Sequence, residues 1–154
     1  MSNKFMQRAI ELSIKSVSQG TGPFGAVIVK ENKIISEGFN NVTSANDPTS
    51  HAEIVAIRSA CKSLNNFSLE DCILYTTCEP CPMCLSAIYW AHIDKIYYAN
   101  TRNDAQKIDF SDALIYQELS KTIKERKIPM HQMMRDEALK AFEMWDKKTD
   151  KLKY

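Results

Sequence analysis

No stretch of this chain approaches the roughly 20 consecutive apolar residues that a membrane-spanning helix requires. The opening residues, MSNKFMQRAIELS, lack the apolar run of a secretory signal, so the cytoplasm is the expected location. Charge of one sign is not in excess. Twenty Lys and Arg against 19 Asp and Glu leave a formal net charge of +1, which gives no electrostatic footprint for nucleic acid or an anionic membrane. Internal repeats, low-complexity tracts and Pro/Gly/Ser linkers are missing, and there are only 4 glycines and 5 prolines. The 5 cysteines are an odd number and are not spread like a disulfide frame. In a chain with no visible export signal they point to metal binding or catalysis before bridging.

The 154 residues suffice for one domain with a real core. Phe5, Ala9, Ile10, Ile14 and Val17 recur at helical spacing over residues 4–18. FGAVIVK and KIISEG are β-rich runs separated by Glu31-Asn32, which reads as a hairpin. A polar loop follows, then a helix over residues 51–63, a strand at CILYTT, a helix over 81–91 and a strand at KIYYA. The residues NTRNDAQKIDF look irregular. SDALIYQEL reads as a helix, KIPMHQM as a fifth strand and DEALKAFEMWDKK as a last amphipathic helix. Strands alternating with helices after a hairpin argue for an α/β layered domain with a mixed sheet of about five strands.

Two fragments carry the chemistry: HAEIVAIRSAC from His51 and CEPCPMCLSAIYW from Cys78. His nitrogen and Cys thiolate suit zinc, and three protein ligands leave a fourth position for water, as catalytic sites do. His51, Cys81 and Cys84 make such a set. Cys81 and Cys84 stand three residues apart, on one face of a helix that Pro82 suits as a first-turn residue. A helix N-terminus favours ionised thiols. Glu53 then has the task of moving a proton between the zinc-bound water and a leaving group. Each residue also has a plainer explanation. Ser50-His51-Ala52-Glu53 fits a capping box. A lone C-x-x-C can be redox-active. Cys78 is a packing residue beside the site, or a fourth ligand if the centre is a closed structural one. Cys61 and Cys72 read as core. It is H-x-E together with P-C-x-x-C that matches a zinc deaminase signature, in which the glutamate is acid and base and not a ligand.

TSHAEIVAIRSAC and LYTTCEPCPMCLSAIYWA resemble the zinc-dependent cytidine deaminase superfamily, and GPFGAVIVK, EGFNNVTSANDPTSHAE and FSDALIYQEL are most similar to its bacterial guanine deaminase branch. The resemblance implies a three-layer α-β-α fold over residues 1–154, a resident Zn2+, and His51, Cys81 and Cys84 as its ligands. It implies hydrolysis of guanine to xanthine and ammonia by a zinc-bound hydroxide, with Glu53 as proton shuttle. It further implies that Asn40, the Ala52 amide and Asp112 contact a small purine base, with Phe24 and Trp90 as apolar walls. A homodimer is implied whose C-terminal segments exchange, making Tyr154 a lid over the partner's site. Asn40-Asn41 also reads as a turn and Ser111-Asp112 as a helix cap. The chain departs from the pattern at Thr77, Ser86 and Ser111, and the last leaves less negative charge beside Asp112. The rivals are a tRNA adenosine deaminase, a deaminase of another amino-heterocycle such as cytosine, and a non-catalytic zinc module. Near-neutral charge and the residues after the fourth strand argue against the first.

Overall fold

Glu31 and Asn32 both take positive φ, 49° and 59°, the backbone of a tight primed turn that matches the twist of two paired strands. They join β1 (Gly25–Lys30) to β2 (Lys33–Phe39) in the expected hairpin. This computed structural model describes residues 3–154. They separate into two compact units, one ending at Asp112 and one spanning Ala113–Tyr154.

In the first unit, β3 (Cys72–Cys78) pairs antiparallel with β1 and parallel with β4 (Lys95–Asn100), giving a mixed sheet in the order β2-β1-β3-β4. The apolar run of β1 is explained by its place inside the sheet, buried on both faces. Helix α1 (Asn3–Ser18) covers one face, packing Phe5 and Leu12 against Val27 and Val29. A two-pronged ion pair reinforces it: Arg8 donates from Nε and Nη2 to the two Glu37 oxygens at 2.7 and 2.8 Å. After a single-turn α2 (Val42–Ala45), helices α3 (Ala52–Leu64) and α4 (Pro82–Trp90) cover the other face. Ala52, Ala56, Ala60 and Ile88 meet Ala26, Ile28, Cys72 and Leu74 there, with Cys61 packed against the cluster. The small side chains on α3 bring its axis close to the sheet. At Gly38 a Cβ would lie 2.2 Å from the Ala52 carbonyl oxygen. The α-β-α layering and mixed sheet thus appear as expected. NTRNDAQKIDF is more regular than expected, because Thr101 and Asp104 form a capping box that starts α5 (Arg102–Gln106).

The second unit holds α6 (Ala113–Ser120), a 3-10 turn (Ile123–Glu125) and α7 (Arg135–Lys147). The expectation of about five strands is corrected here: the sheet has four. KIPMHQM forms no regular element. Pro129 lacks the amide a ladder needs, and Ile128, Met130 and Met133 are 78%, 53% and 79% exposed, so the run has no buried face to set a register. Neither α6 nor α7 has a buried residue. Among the described residues, no helix is long and apolar enough to cross a membrane.

Candidate active site

The loop before α3 is held by one carboxylate. Asp47 accepts from the Thr49 amide at 2.8 Å, the Thr49 hydroxyl at 2.7 Å and the Ser50 hydroxyl at 2.6 Å. These bonds, Ser50's foremost, hold its carboxyl well below the usual range. The loop delivers His51 in extended conformation (φ −69°, ψ 157°) as the N-cap of α3. Cys81 occupies the same position on α4, at φ −65° and ψ 167°, with Pro82 opening the helix. Two helix N-termini therefore converge, and both bring partial positive charge to the same place.

His51 Nδ1 lies 3.5 Å from Cys81 Sγ and 3.5 Å from Cys84 Sγ. All three ligand atoms fall within 4.8 Å of one another. A tetrahedral zinc, with bonds of about 2.0–2.1 Å to nitrogen and 2.3 Å to sulfur, separates those ligands by about 3.6 Å. The cluster therefore has the spacing zinc requires. The Cys81 thiol is lowered to about 4, first by its contact with the Cys84 side chain and then by His51. Cys84 is pushed up by the same contact and by burial.

Cys78 ends β3 but stands outside this cluster. Its Sγ donates to the Thr101 carbonyl at 3.7 Å, and burial pushes its thiol up to about 11. The described residues that cluster at ligand spacing are three, His51, Cys81 and Cys84, the number that leaves a position for water in a catalytic centre.

Glu53 is buried, on the first turn of α3. The capping-box alternative does not form: His51, not Ser50, is the N-cap, and the Ser50 hydroxyl goes to Asp47. The Glu53 carboxylate instead accepts from Thr76 Oγ1 at Oε1, 3.1 Å, and from Cys84 Sγ at Oε2, 3.4 Å. Burial raises its pKa above the ordinary carboxyl value. A buried carboxylate with one oxygen turned to the ligand cluster has the makings of a proton carrier.

The remaining expected residues are placed unevenly. Ala52 opens α3 and is fully buried, so its amide is one that the helix leaves without an intrahelical partner. Asn40 is buried just after β2, and its Oδ1 accepts the Val42 amide at 3.3 Å, which makes the turn and leaves Nδ2 to donate. Phe24 meets Phe110 edge-on, with ring centroids 5.1 Å apart. Asp112 is half-buried, and burial raises its carboxyl, with Cys81 close enough to add to the effect. Trp90, the last residue of α4, is 65% exposed, and Tyr154, in the second unit, is 72% exposed. His51, Glu53, Cys81 and Cys84 are brought together. Thr76 is the contact that sequence reasoning missed. Its signal was present: Cys72, Leu74, Thr76 and Cys78 alternate onto one face of β3, so a hydroxyl stands in an otherwise buried row.

Comparison with known proteins gives a consistent result. The family described as the cytidine and deoxycytidylate deaminase zinc-binding region matches residues 1–100. A guanine deaminase of Bacillus subtilis (strain 168) is 52% identical over 151 residues, covering 97% of each chain. The X-ray structure of guanine deaminase from Bacillus subtilis superposes with a TM-score of 0.96 at 50% identity, covering 100% of this chain and 99% of that one. A tRNA-specific adenosine deaminase of Aquifex aeolicus is 43% identical over 95 residues, 62% of this chain and 63% of that one.

Proposed function

Since the chain belongs to the cytidine and deoxycytidylate deaminase zinc-binding family, we propose that it hydrolyses guanine to xanthine and ammonia. The observation that carries the substrate assignment is likeness to a guanine deaminase over 97% of both chains, where a tRNA adenosine deaminase matches over 62%.

Zinc held by His51, Cys81 and Cys84 would supply a water acidified to near neutrality and a positive charge facing the transition-state oxygen. The chain's own groups handle protons and orientation. Glu53, through the oxygen facing the ligand cluster, takes one proton from the attacking water and passes it to a ring nitrogen, then carries the second, from the hydroxyl added at C2, to the C2 amine, which leaves as ammonia while that oxygen becomes the carbonyl of xanthine. Its burial keeps bulk water from competing for that proton. Asn40 Nδ2 and the Ala52 amide donate to acceptors of the base. The Asp112 carboxylate accepts from ring N–H and amine donors, which selects guanine over bases lacking them by leaving its own charge unpaired otherwise. Phe24, backed by Phe110, and Trp90 flank the ring.

We further propose that residues 1–154 act as one deaminase domain in a cytoplasmic homodimer that exchanges its C-terminal units, Tyr154 closing the partner's site. The support is apolar surface. Leu114, Ile115 and Leu119 on α6 and Phe142, Met144 and Trp145 on α7 are all exposed, far more than a 42-residue piece leaves open unless something covers it.

The test is ammonia release from guanine, adenine, cytosine, guanosine and tRNA. Guanine is expected to react fastest; product from tRNA alone would move the enzyme to the other branch. Light scattering on the same sample is expected to give twice the 17.6 kDa chain mass, and a monomer at micromolar concentration would refute the exchange.

A further inference from the structure

The proton carrier has two oxygens and only one can face the reacting water. Glu53 Oε2 is turned to Cys84, and so to the ligand cluster, while Oε1 accepts the Thr76 hydroxyl at 3.1 Å. Thr76 is 1% exposed and Glu53 6%, so solvent does not compete for either group.

The hydroxyl is fixed by its strand. Thr76 pairs with Ala26 of β1 on one side and Tyr98 of β4 on the other, in a strand with a neighbour on each edge. Threonine has few χ1 options because it is branched at Cβ, and here the packed core of Leu74 and Ala52 lies on the same face. The glutamate side chain, by contrast, has a terminal torsion that is broad and soft. Left to itself, the carboxylate can rotate about its last bond.

We propose that Thr76 is a positioning residue: its hydroxyl pins one oxygen of Glu53 to the rigid centre of the sheet and so presents the other to the metal-bound water's proton. The hydroxyl acts through Glu53 and touches no substrate. Its consequence is kinetic. A misoriented shuttle still lets substrate bind, but fewer bound molecules have the carboxylate in line with the proton, and small misplacements of a catalytic group are costly.

This inference rests on Glu53 as the shuttle, not on the identity of the base. Thr76→Val keeps the shape and removes only the hydroxyl; Thr76→Ser keeps the hydroxyl and removes a methyl. With whichever base the parent enzyme turns over fastest, the Val variant is expected to lose roughly 10- to 100-fold in kcat with KM within about twofold, and the Ser variant to recover most of kcat. Both are expected to retain one zinc per chain. A crystal structure of the zinc-loaded Val variant should show the Glu53 carboxylate rotated or split between two orientations. That reading needs no substrate, so it stands even if guanine proves to be the wrong base. Unchanged kcat in the Val variant, equal loss in the Ser variant, or a carboxylate oriented as in the parent would each overturn the proposal.

Discussion

Replacing Glu53 with glutamine is expected to lower ammonia release from guanine by roughly 10²–10⁴-fold, the range that positioned general acid–base groups supply, while leaving the protein folded and zinc-loaded. The amide matches the carboxylate in size. Its oxygen can still accept from Thr76, which now donates at 3.1 Å, so the buried hydroxyl keeps a partner. What the amide cannot do is take up and return a proton. Stability should not fall. The amide fills the same buried space and keeps the Thr76 hydrogen bond, so no cavity and no unpaired hydroxyl is created. The measurement is turnover beside metal analysis and a melting curve. A variant retaining more than a tenth of parental turnover would remove Glu53 from the shuttle role. One that lost its zinc would show Glu53 to be part of the metal's support, which the His51-Cys81-Cys84 spacing does not require.

The metal centre was legible in the sequence because its geometry is local. Cys81 and Cys84 are placed by one helix start and His51 by another, and proline and spacing mark both. The hairpin was legible because Glu31-Asn32 leaves only two residues to reverse the chain. Glu53 was ambiguous, since a capping box and a buried acid share one pattern. Only the N-cap's position at His51, with Ser50 drawn to Asp47, separates them. Thr76 was passed over because a threonine in a strand is ordinary by propensity; its meaning comes from a residue 23 positions away. KIPMHQM failed as a strand for a related reason: alternating apolar residues show that a strand could form, not that a partner edge exists. The exposed apolar faces of α6 and α7 mark the same limit, because amphipathic spacing states that a face wants cover without naming the cover.

Gly38→Ala is expected to do damage out of proportion to one methyl group. A Cβ at this position would stand 2.2 Å from the Ala52 carbonyl oxygen, 2.7 Å from the Ala56 amide nitrogen and 3.2 Å from the Ala52 carbonyl carbon. All three are backbone atoms of α3, so no side chain can swing aside. Strand β2 cannot retreat cheaply either, since Gly38 is paired with Ala26 of β1 and the ladder continues on both sides. The helix must give way, and it gives way at the end that carries His51 and Glu53. Cys81 and Cys84 belong to α4 and stay behind. A displacement of even half an ångström would therefore spoil the 3.5 Å spacing between imidazole and thiolates as well as the reach of the shuttle. Overpacking of this kind costs about 1–3 kcal/mol and sometimes more, or a fall in Tm of roughly 2–12 °C for a chain this size. Turnover should drop by about 10²-fold, as for an ångström-scale misplacement of catalytic groups, and zinc should be stripped at lower chelator concentration than from the parent. Gly20→Ala is the matched control. Gly20 has φ +78° and nothing within 4 Å of its would-be Cβ, so alanine there meets backbone strain but no clash, and zinc retention should match the parent. If Gly38→Ala kept both the parental Tm and its zinc, the contact between β2 and α3 would have to be looser than these distances make it, and the coupling between that contact and the metal centre would fail with it.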